Sequence, residues 1–286
     1  MKVAIIGPGR VGTLLAVAAA RAGMRVVAIA GGAETAREHL RSIVAGVRSY
    51  AEVASATQGA ELVLLCVPDG AIADVAKALA RDGAVGEGHR VVHVAGSLGL
   101  EPLRQVALTG AGVAACHPAM TVPTGATDPD LLVGVAWGVT ATGSNLGWAQ
   151  ELVTDLGGDP FPIPEDARVL YHAGLAVGSN AVGAAVATAR RLLMAARIDR
   201  PERFLAPLIE RSVANVLDQG AQALTGPVIR GDVGTVATHL EVIDRDVPEL
   251  SAAYRALAEA TLAPVRVTMD PTILAELDRL LSQTER

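Results

Sequence analysis

Lysine is almost missing from this chain of 286 residues: Lys2 and Lys77 are the only two. A lysine proton donor beyond residue 77 is thereby excluded. Aromatic residues make up 2%, so Ala, Val and Leu must fill whatever core forms. Cysteine is confined to Cys66 and Cys116, each inside an apolar run that reads as a buried strand. A structural disulfide is not expected, and a reducing compartment is the simpler setting. A buried free cysteine then acts as an inert small hydrophobe. There is no block of basic residues, and the net charge is -6. That balance argues against a nucleic-acid partner. Gly7-Pro8-Gly9-Arg10 interrupts the apolar N-terminal stretch, so it does not read as a signal peptide. No segment reads as the run of roughly 20 apolar residues that a membrane span needs. The expectation is a cytoplasmic protein with no membrane partner.

What is present suits a folded globular chain. Hydrophobic residues make up 51% and charged residues 19%, which implies a large core and argues against disorder. The length allows one large domain or two ordinary ones. Val3 to Ile6 is a continuous apolar run, as in a strand buried on both faces of a parallel sheet. A glycine loop follows, then an Ala-rich helix from Thr13 to Ala22 that stops at Gly23, then a strand from Arg25 to Ala30. Further strands are expected at 60–67, 90–95, 113–116 and 135–142, with helices at 72–81 and 145–156. Such alternation predicts an α/β fold with a doubly wound parallel sheet, a Rossmann domain. Prolines 160, 162 and 164 place the domain boundary near residue 160. From Glu165 on the patterns are helical only, beginning with a long Ala/Gly-rich run to Arg197. The expected organisation is an NAD(P)-binding domain over 1–160 and an all-helical substrate and dimerisation domain over 161–286. The small residues of the long helix permit close packing against a second copy, so a homodimer is expected.

Gly7-Pro8-Gly9-Arg10-Val11-Gly12 is the strongest chemical signal. In this strand–turn–helix setting Gly7 permits the tight turn, Gly9 lets a pyrophosphate approach, and Gly12 lets the helix pack on the strand. The helix N-terminus offers free N–H groups to the phosphates. The second strand ends Ala30-Gly31-Gly32 with no acid to bind ribose hydroxyls, which favours NADP and leaves NAD possible. Arg37, one turn into the next helix, and Arg10 are candidate phosphate ligands; a solvated helix residue is the plainer reading of Arg37.

Ligands in such sheets bind beyond the carboxyl ends of strands. Val67-Pro68-Asp69, Gly96-Ser97 and His117-Pro118 stand there. Val67, Pro68, Asp69 and Gly96 are expected on the cofactor side, and Ser97 at the substrate. Asp69 could instead only cap a helix. His93, inside its strand, reads as a packed histidine, whereas His117 ends its strand facing the cleft. Farther on, Tyr171-His172 and Ser179-Asn180 stand out from an Ala/Gly background. His172 and Ser179 are seven residues apart, which on an α-helix puts them on one face about 10 Å apart. A helix–helix polar contact is the structural alternative. Thr225 and Arg230 lie in a turn-rich loop that ends at Asp232, a plausible N-cap. Arg230 suits a substrate carboxylate, or a surface ion pair. Without lysine, histidine is the natural general acid for a reduction, having an ordinary pKa of about 6.5. His172 is the first choice and His117 the second, with Asn180 orienting the substrate.

Taken in order, the glycine loop, Val67-Pro68-Asp69, His93-x-x-Gly96, His117-Pro118, Tyr171-His172 with Asn180, and Thr225-Gly226-Pro227-x-x-Arg230-Gly231-Asp232 form a pattern. It resembles the bacterial proteins that join a Rossmann-like domain to a helical C-terminal domain of unknown function. That family is similar to pyrroline-5-carboxylate reductases, ketopantoate reductases and β-hydroxyacid dehydrogenases. The resemblance implies a helical domain that often dimerises and NADP-linked reduction; with Arg230 as a carboxylate clamp, the expected substrate is a carbonyl or imine of a small, carboxylate-bearing metabolite. Two departures matter. Many members carry Arg soon after the second strand, where this chain has Gly32. The second-domain lysine of ketopantoate reductases and β-hydroxyacid dehydrogenases has no counterpart after Lys77. A non-catalytic, nucleotide-binding redox sensor is the competing reading; the polar cluster around residues 171–180 favours an enzyme.

Overall fold

The computed structural model describes residues 1–282 and divides the chain into two compact units, the first Met1–Ala176 and the second from Val177 on. The first unit holds strands β1 (Lys2–Ile6), β2 (Arg25–Ala30), β3 (Arg48–Tyr50), β4 (Leu62–Leu65), β5 (Arg90–His93), β6 (Gly112–Pro118), β7 (Ala136–Thr140) and β8 (Asp159–Pro162). They form one sheet in the order β3-β2-β1-β4-β5-β6-β7-β8. Apolar side chains of β1 alternate between two clusters: Val3 and Ile5 join one, Ala4 and Ile6 the other. Both faces of the strand are therefore covered, which is why its sequence is apolar without a break. Helices α1 (Arg10–Arg21), α2 (Glu34–Ile43), α3 (Asp69–Arg81), α4 (Asn145–Asp155) and α5 (Arg168–Ala176) complete the unit, with single turns at Val53–Ala56 and Arg104–Ala107.

The expected Rossmann architecture is present, with three differences. Every neighbouring pair is parallel except β6 and β7, which are antiparallel. Residues 119–135 between those two strands hold a 3-10 turn, Pro129–Leu132, and no α-helix of the kind that usually makes a parallel crossover. The proline-rich segment expected as a linker contributes β8, the sheet's edge, where prolines are tolerated because one side of the strand needs no donors. The first unit also continues past the expected boundary at residue 160 as far as Ala176.

The chain leaves β1 to build β2 and β3 on one side, then returns to lay β4 on the other. The ends of β1, β2 and β4 thus flank a topological switch point, where such sheets bind ligands.

The second unit opens with a π-helical turn, Val177–Ala181, followed by α6 (Val182–Ala195), α7 (Glu202–Gln219), α8 (Val233–Asp246), α9 (Ser251–Leu262) and α10 (Pro271–Ser282). Its core draws on residues four apart: Val236 and Leu240, Ala258 and Leu262, Leu277 and Leu281. That spacing presents one face of each helix. α6 buries none of its residues, and α7 exposes Phe204, Leu208 and Leu217. One expectation is corrected here. The helical run Glu165–Ala195 is long and apolar enough, by length and composition, to cross a membrane. Ala, Gly and Val raise its mean hydropathy, and the same residues suit close helix packing.

Candidate functional site

Two of the three loop glycines are required by the fold itself. Gly7 has φ +92°, and a Cβ there would stand 2.6 Å from the Cys66 carbonyl oxygen. A Cβ on Gly12 would collide with the Gly7 carbonyl oxygen. Gly9 is different: it is exposed, and a Cβ there would meet nothing within 4 Å. The space beside it is open to a ligand. Gly9 also caps α1, whose first turn has no side-chain cap and no acid. Its leading N–H groups are therefore free for an anion. Pro8 is buried and Val11 half-buried behind the loop.

Beyond β2, Gly31 and Gly32 have φ +75° and +66°, and a Cβ on Gly32 would lie 3.5 Å from Pro8 Cδ. The Arg37 guanidinium donates from Nη1 to the Gly31 and Gly32 carbonyls at 3.2 and 2.7 Å. Arg37 is thus half-buried at the end of β2 rather than a solvated helix residue. It supplies the cation that the residues directly after the strand lack. Arg10 is exposed, with Nη1 3.5 Å from the Val122 carbonyl. Past β4, Val67 is half-buried, and Pro68 caps α3 through its backbone. Asp69 lies within the first turn and makes no cap hydrogen bond, so the capping alternative does not hold.

The polar cluster stands at the ends of β5 and β6. Gly96 is buried; a Cβ there would collide with His172 Cδ2 and lie 3.0 Å from His117 Nε2. His117 Nδ1 is 3.0 Å from the Tyr171 hydroxyl. The His117 ring meets those of Tyr171 and His172 edge-on, with centroids 5.8 and 5.7 Å away. Tyr171 approaches β7 closely: a Cβ on Gly138 would lie 2.7 Å from its hydroxyl. Tyr171 and His172, expected in a second domain, thus belong to α5 of the first unit. Ser97 follows Gly96 and is half-buried.

Beneath the cluster lies a residue that sequence reasoning missed. Arg168 is 1% exposed. Its guanidinium donates to the carbonyls of Ala95 (2.7 Å), Gly96 (3.2 Å), Ala115 (3.4 Å) and Gly138 (3.3 Å) and to Thr140 Oγ1 (3.0 Å). It ties together the end of β5, β6 and β7. Its Cζ stands 5.9 Å from the Tyr171 ring centroid. Burial and then the Arg168 charge push His117 down to about 4, with His172 and His93 adding to the effect. Burial is also the main cause holding His93 at about 4. His93 accepts from the Ala95 N–H at Nδ1 (3.2 Å), so Nε2 carries the proton to the Gly99 carbonyl at 2.7 Å. It is the packed histidine the sequence suggested. Burial pushes the Cys116 thiol up to about 12, an inert cysteine.

Ser179 and Asn180 lie in the π-helical turn of the second unit. That turn breaks the 3.6-residue phase on which a face shared with His172 rested. Thr225 lines a cavity of about 350 Å³ in the second unit with Thr188, Leu192, His239 and Tyr254. Arg230 is exposed. Asp232 caps α8, accepting from the Thr235 N–H at 3.0 Å and its hydroxyl at 2.7 Å.

Residues 1–118 match the family described as a Rossmann-like domain, and residues 135–261 match the domain of unknown function DUF2520. No curated protein matches the sequence. A protein of Bacteroides fragilis, provisionally designated an NADP oxidoreductase, superposes with a TM-score of 0.78 at 21% identity, over 92% of this chain and 98% of its own. A reductive aminase of Aspergillus terreus, in complex with NADPH and ethyl-5-oxohexanoate, gives 0.68 at 16%, over 97% and 98%. A pyrroline carboxylate reductase of Plasmodium falciparum with NADP bound gives 0.59 at 12%, over 99% and 98%. At these identities the shared property is the fold. Two family models thus match successive parts of the chain, a Rossmann-like domain followed by a DUF2520 domain.

Proposed function

We propose that this protein is an NADP(H)-dependent oxidoreductase that reduces the carbonyl or imine of a small metabolite in a reducing, cytoplasmic setting. The observation that carries the reading is the run of features along neighbouring strand ends. An open Gly9 and an uncapped α1 follow β1, Arg37 closes the end of β2, and the His117–Tyr171–His172 group stands beyond β5 and β6. The α1 N–H groups suit a pyrophosphate, and the Arg37 guanidinium suits a ribose phosphate better than a hydroxyl. The relatives crystallised with NADPH or NADP support the same choice.

Bound there, the reduced nicotinamide would supply the hydride ion. This chain's own residues would supply the proton. His117 has a fixed partner in Tyr171, while among the described residues His172 makes no side-chain hydrogen bond. His117 is therefore the better oriented donor, and His172 forms the wall beside it. Fluorescence titration tests the first half of the reading: NADPH should bind more tightly than NADH. Equal or tighter NADH binding removes the preference, and binding of neither removes the oxidoreductase.

The protein also acts as a homodimer. Support comes from α6, with no buried residue, and from the exposed Phe204, Leu208 and Leu217 of α7. Apolar surface of this extent is rarely left uncovered. A solution mass near that of one 29.2 kDa chain would overturn the dimer.

A further inference from the structure

The His117 site is built around a buried positive charge that no carboxylate neutralises. Among the described residues, no acidic side chain forms an ion pair with Arg168, His93, His117 or His172. All the hydrogen-bond acceptors around Arg168 are neutral. Two acids act on the cluster from outside it. Glu165 faces Arg168 but accepts the Leu100 N–H at 2.8 and 3.0 Å, and Asp69 on α3 faces His93.

We propose that this site reduces a carbonyl compound, a ketone or aldehyde, and not an imine. The inference rests on the reductase reading above and selects between its two substrate classes. An imine accepts hydride best as the protonated iminium, so it must bring a positive charge into the site and lose it during the reaction. A carbonyl enters neutral and develops negative charge on oxygen. A fixed cation in a poorly solvated site opposes the first change and favours the second. The same surroundings deny the His117 imidazole its second, charging proton until about pH 4, and they would equally disfavour an iminium.

The hydrogen bonding also suits a carbonyl. If the Tyr171 hydroxyl donates to His117 Nδ1, the His117 proton sits on Nε2, the nitrogen facing Gly96. The carbonyl carbon would gain a hydride, with its electron pair, from the reduced nicotinamide dinucleotide, and the C=O π pair would move to oxygen. His117 Nε2 gives its proton to that oxygen while Nδ1 takes the proton of Tyr171. The imidazole ends neutral, with its tautomer exchanged. The Tyr171 phenolate is left next to Arg168 and recovers its proton from solvent. The products are an alcohol and the oxidised dinucleotide. Arg168 touches none of the reacting atoms. It is a positioning residue that also sets the field.

The test compares NADPH consumption by the full chain with three sets of compounds: 2-oxo acids, ketones and aldehydes alone; the same compounds with ammonium; and preformed cyclic imines. The best carbonyl should exceed the best imine at least tenfold in kcat/KM, with no gain from ammonium. A ratio under tenfold, or a rate that rises with ammonium, overturns the proposal and leaves the reductase intact. Turnover of no compound in any set overturns both. A second readout needs no dinucleotide: acetate should shift the His117 ring resonances in NMR titration, and methylammonium should not. The reverse order overturns the proposal. Arg168→Gln should lower carbonyl turnover at least tenfold and imine turnover less. Equal loss of both would make Arg168 purely structural and overturn its part. If that variant does not fold, the two-probe titration of the unaltered protein decides.

Discussion

His117 with Tyr171 in the first unit, and His239 with Tyr254 in the second, meet in nearly the same way. Their rings lie edge-on with centroids 5.8 and 5.9 Å apart, and Nδ1 stands 3.0 and 2.8 Å from the hydroxyl. The surroundings differ. His117 is half-buried above the guanidinium of Arg168, which takes its charge-stabilising contacts from backbone carbonyls. His239 is exposed on α8, at the rim of an apolar cavity. A hydrogen-bonded histidine and tyrosine are thus not enough to mark a reactive pair. Desolvation and a fixed neighbouring charge give the first pair a defined protonation state.

The largest expected effect breaks this comparison outright. His117→Ala should lower kcat for NADPH consumption by about 10²–10⁴-fold, the usual worth of a general acid. His239→Ala should leave kcat unchanged. Equal losses at the two positions would mean that pair geometry, not environment, confers activity. Next in size is Arg37→Ala. Loss of a charge-assisted contact of about 1.5–3 kcal/mol should weaken NADPH binding by roughly 10- to 100-fold. NADH affinity should barely move in the same titration.

A smaller effect sharpens the comparison. Tyr171→Phe removes the proton that His117 Nδ1 takes during the reaction, so kcat should fall roughly tenfold or more, though less than in His117→Ala. Tyr254→Phe should not change it. The last prediction concerns stability. His93 and His117 titrate near 4 in the folded protein, against about 6.5 in an unfolded chain. Between those values the unfolded state binds more protons, so stability rises with pH. It should be complete above about pH 6.5 and be lost progressively as pH falls toward 4. Urea midpoints measured across that range check the sign, and His117→Ala should flatten the slope.

Much of the fold was legible because its signals are local. The β1–loop–α1 segment announces itself by an apolar run and three spaced glycines: Gly12 answers to the Gly7 carbonyl of its own turn, Gly7 to Cys66 just past β4, and Gly9 faces open space. Asp232 was readable as a cap because its partner, Thr235, is one turn away. Other elements carried misleading local signals. β3 is only Arg-Ser-Tyr, and β8 is half proline, tolerable only at the sheet's edge. The long helical run concealed a π-helical turn, which no side-chain pattern required. Within the site, Gly96, His117 and His172 were each singled out from the sequence, but only their meeting in space makes a cluster of them. In the sequence Tyr171 is only the residue before His172.

Composition and spacing by themselves determined that this chain carries a dinucleotide-type loop on an α/β sheet, followed by helices, and that no lysine stands beyond residue 77. The tertiary structure alone decided what stands under that histidine. In the sequence Arg168 is a single charge ahead of a run that has no further Lys, Arg, Asp or Glu until Arg190, and nothing there announces a buried role. Its partners are mostly backbone carbonyls, which every residue possesses and no sequence pattern displays. They become a binding site for a guanidinium only when the end of β5 and the bodies of β6 and β7 come together around one point.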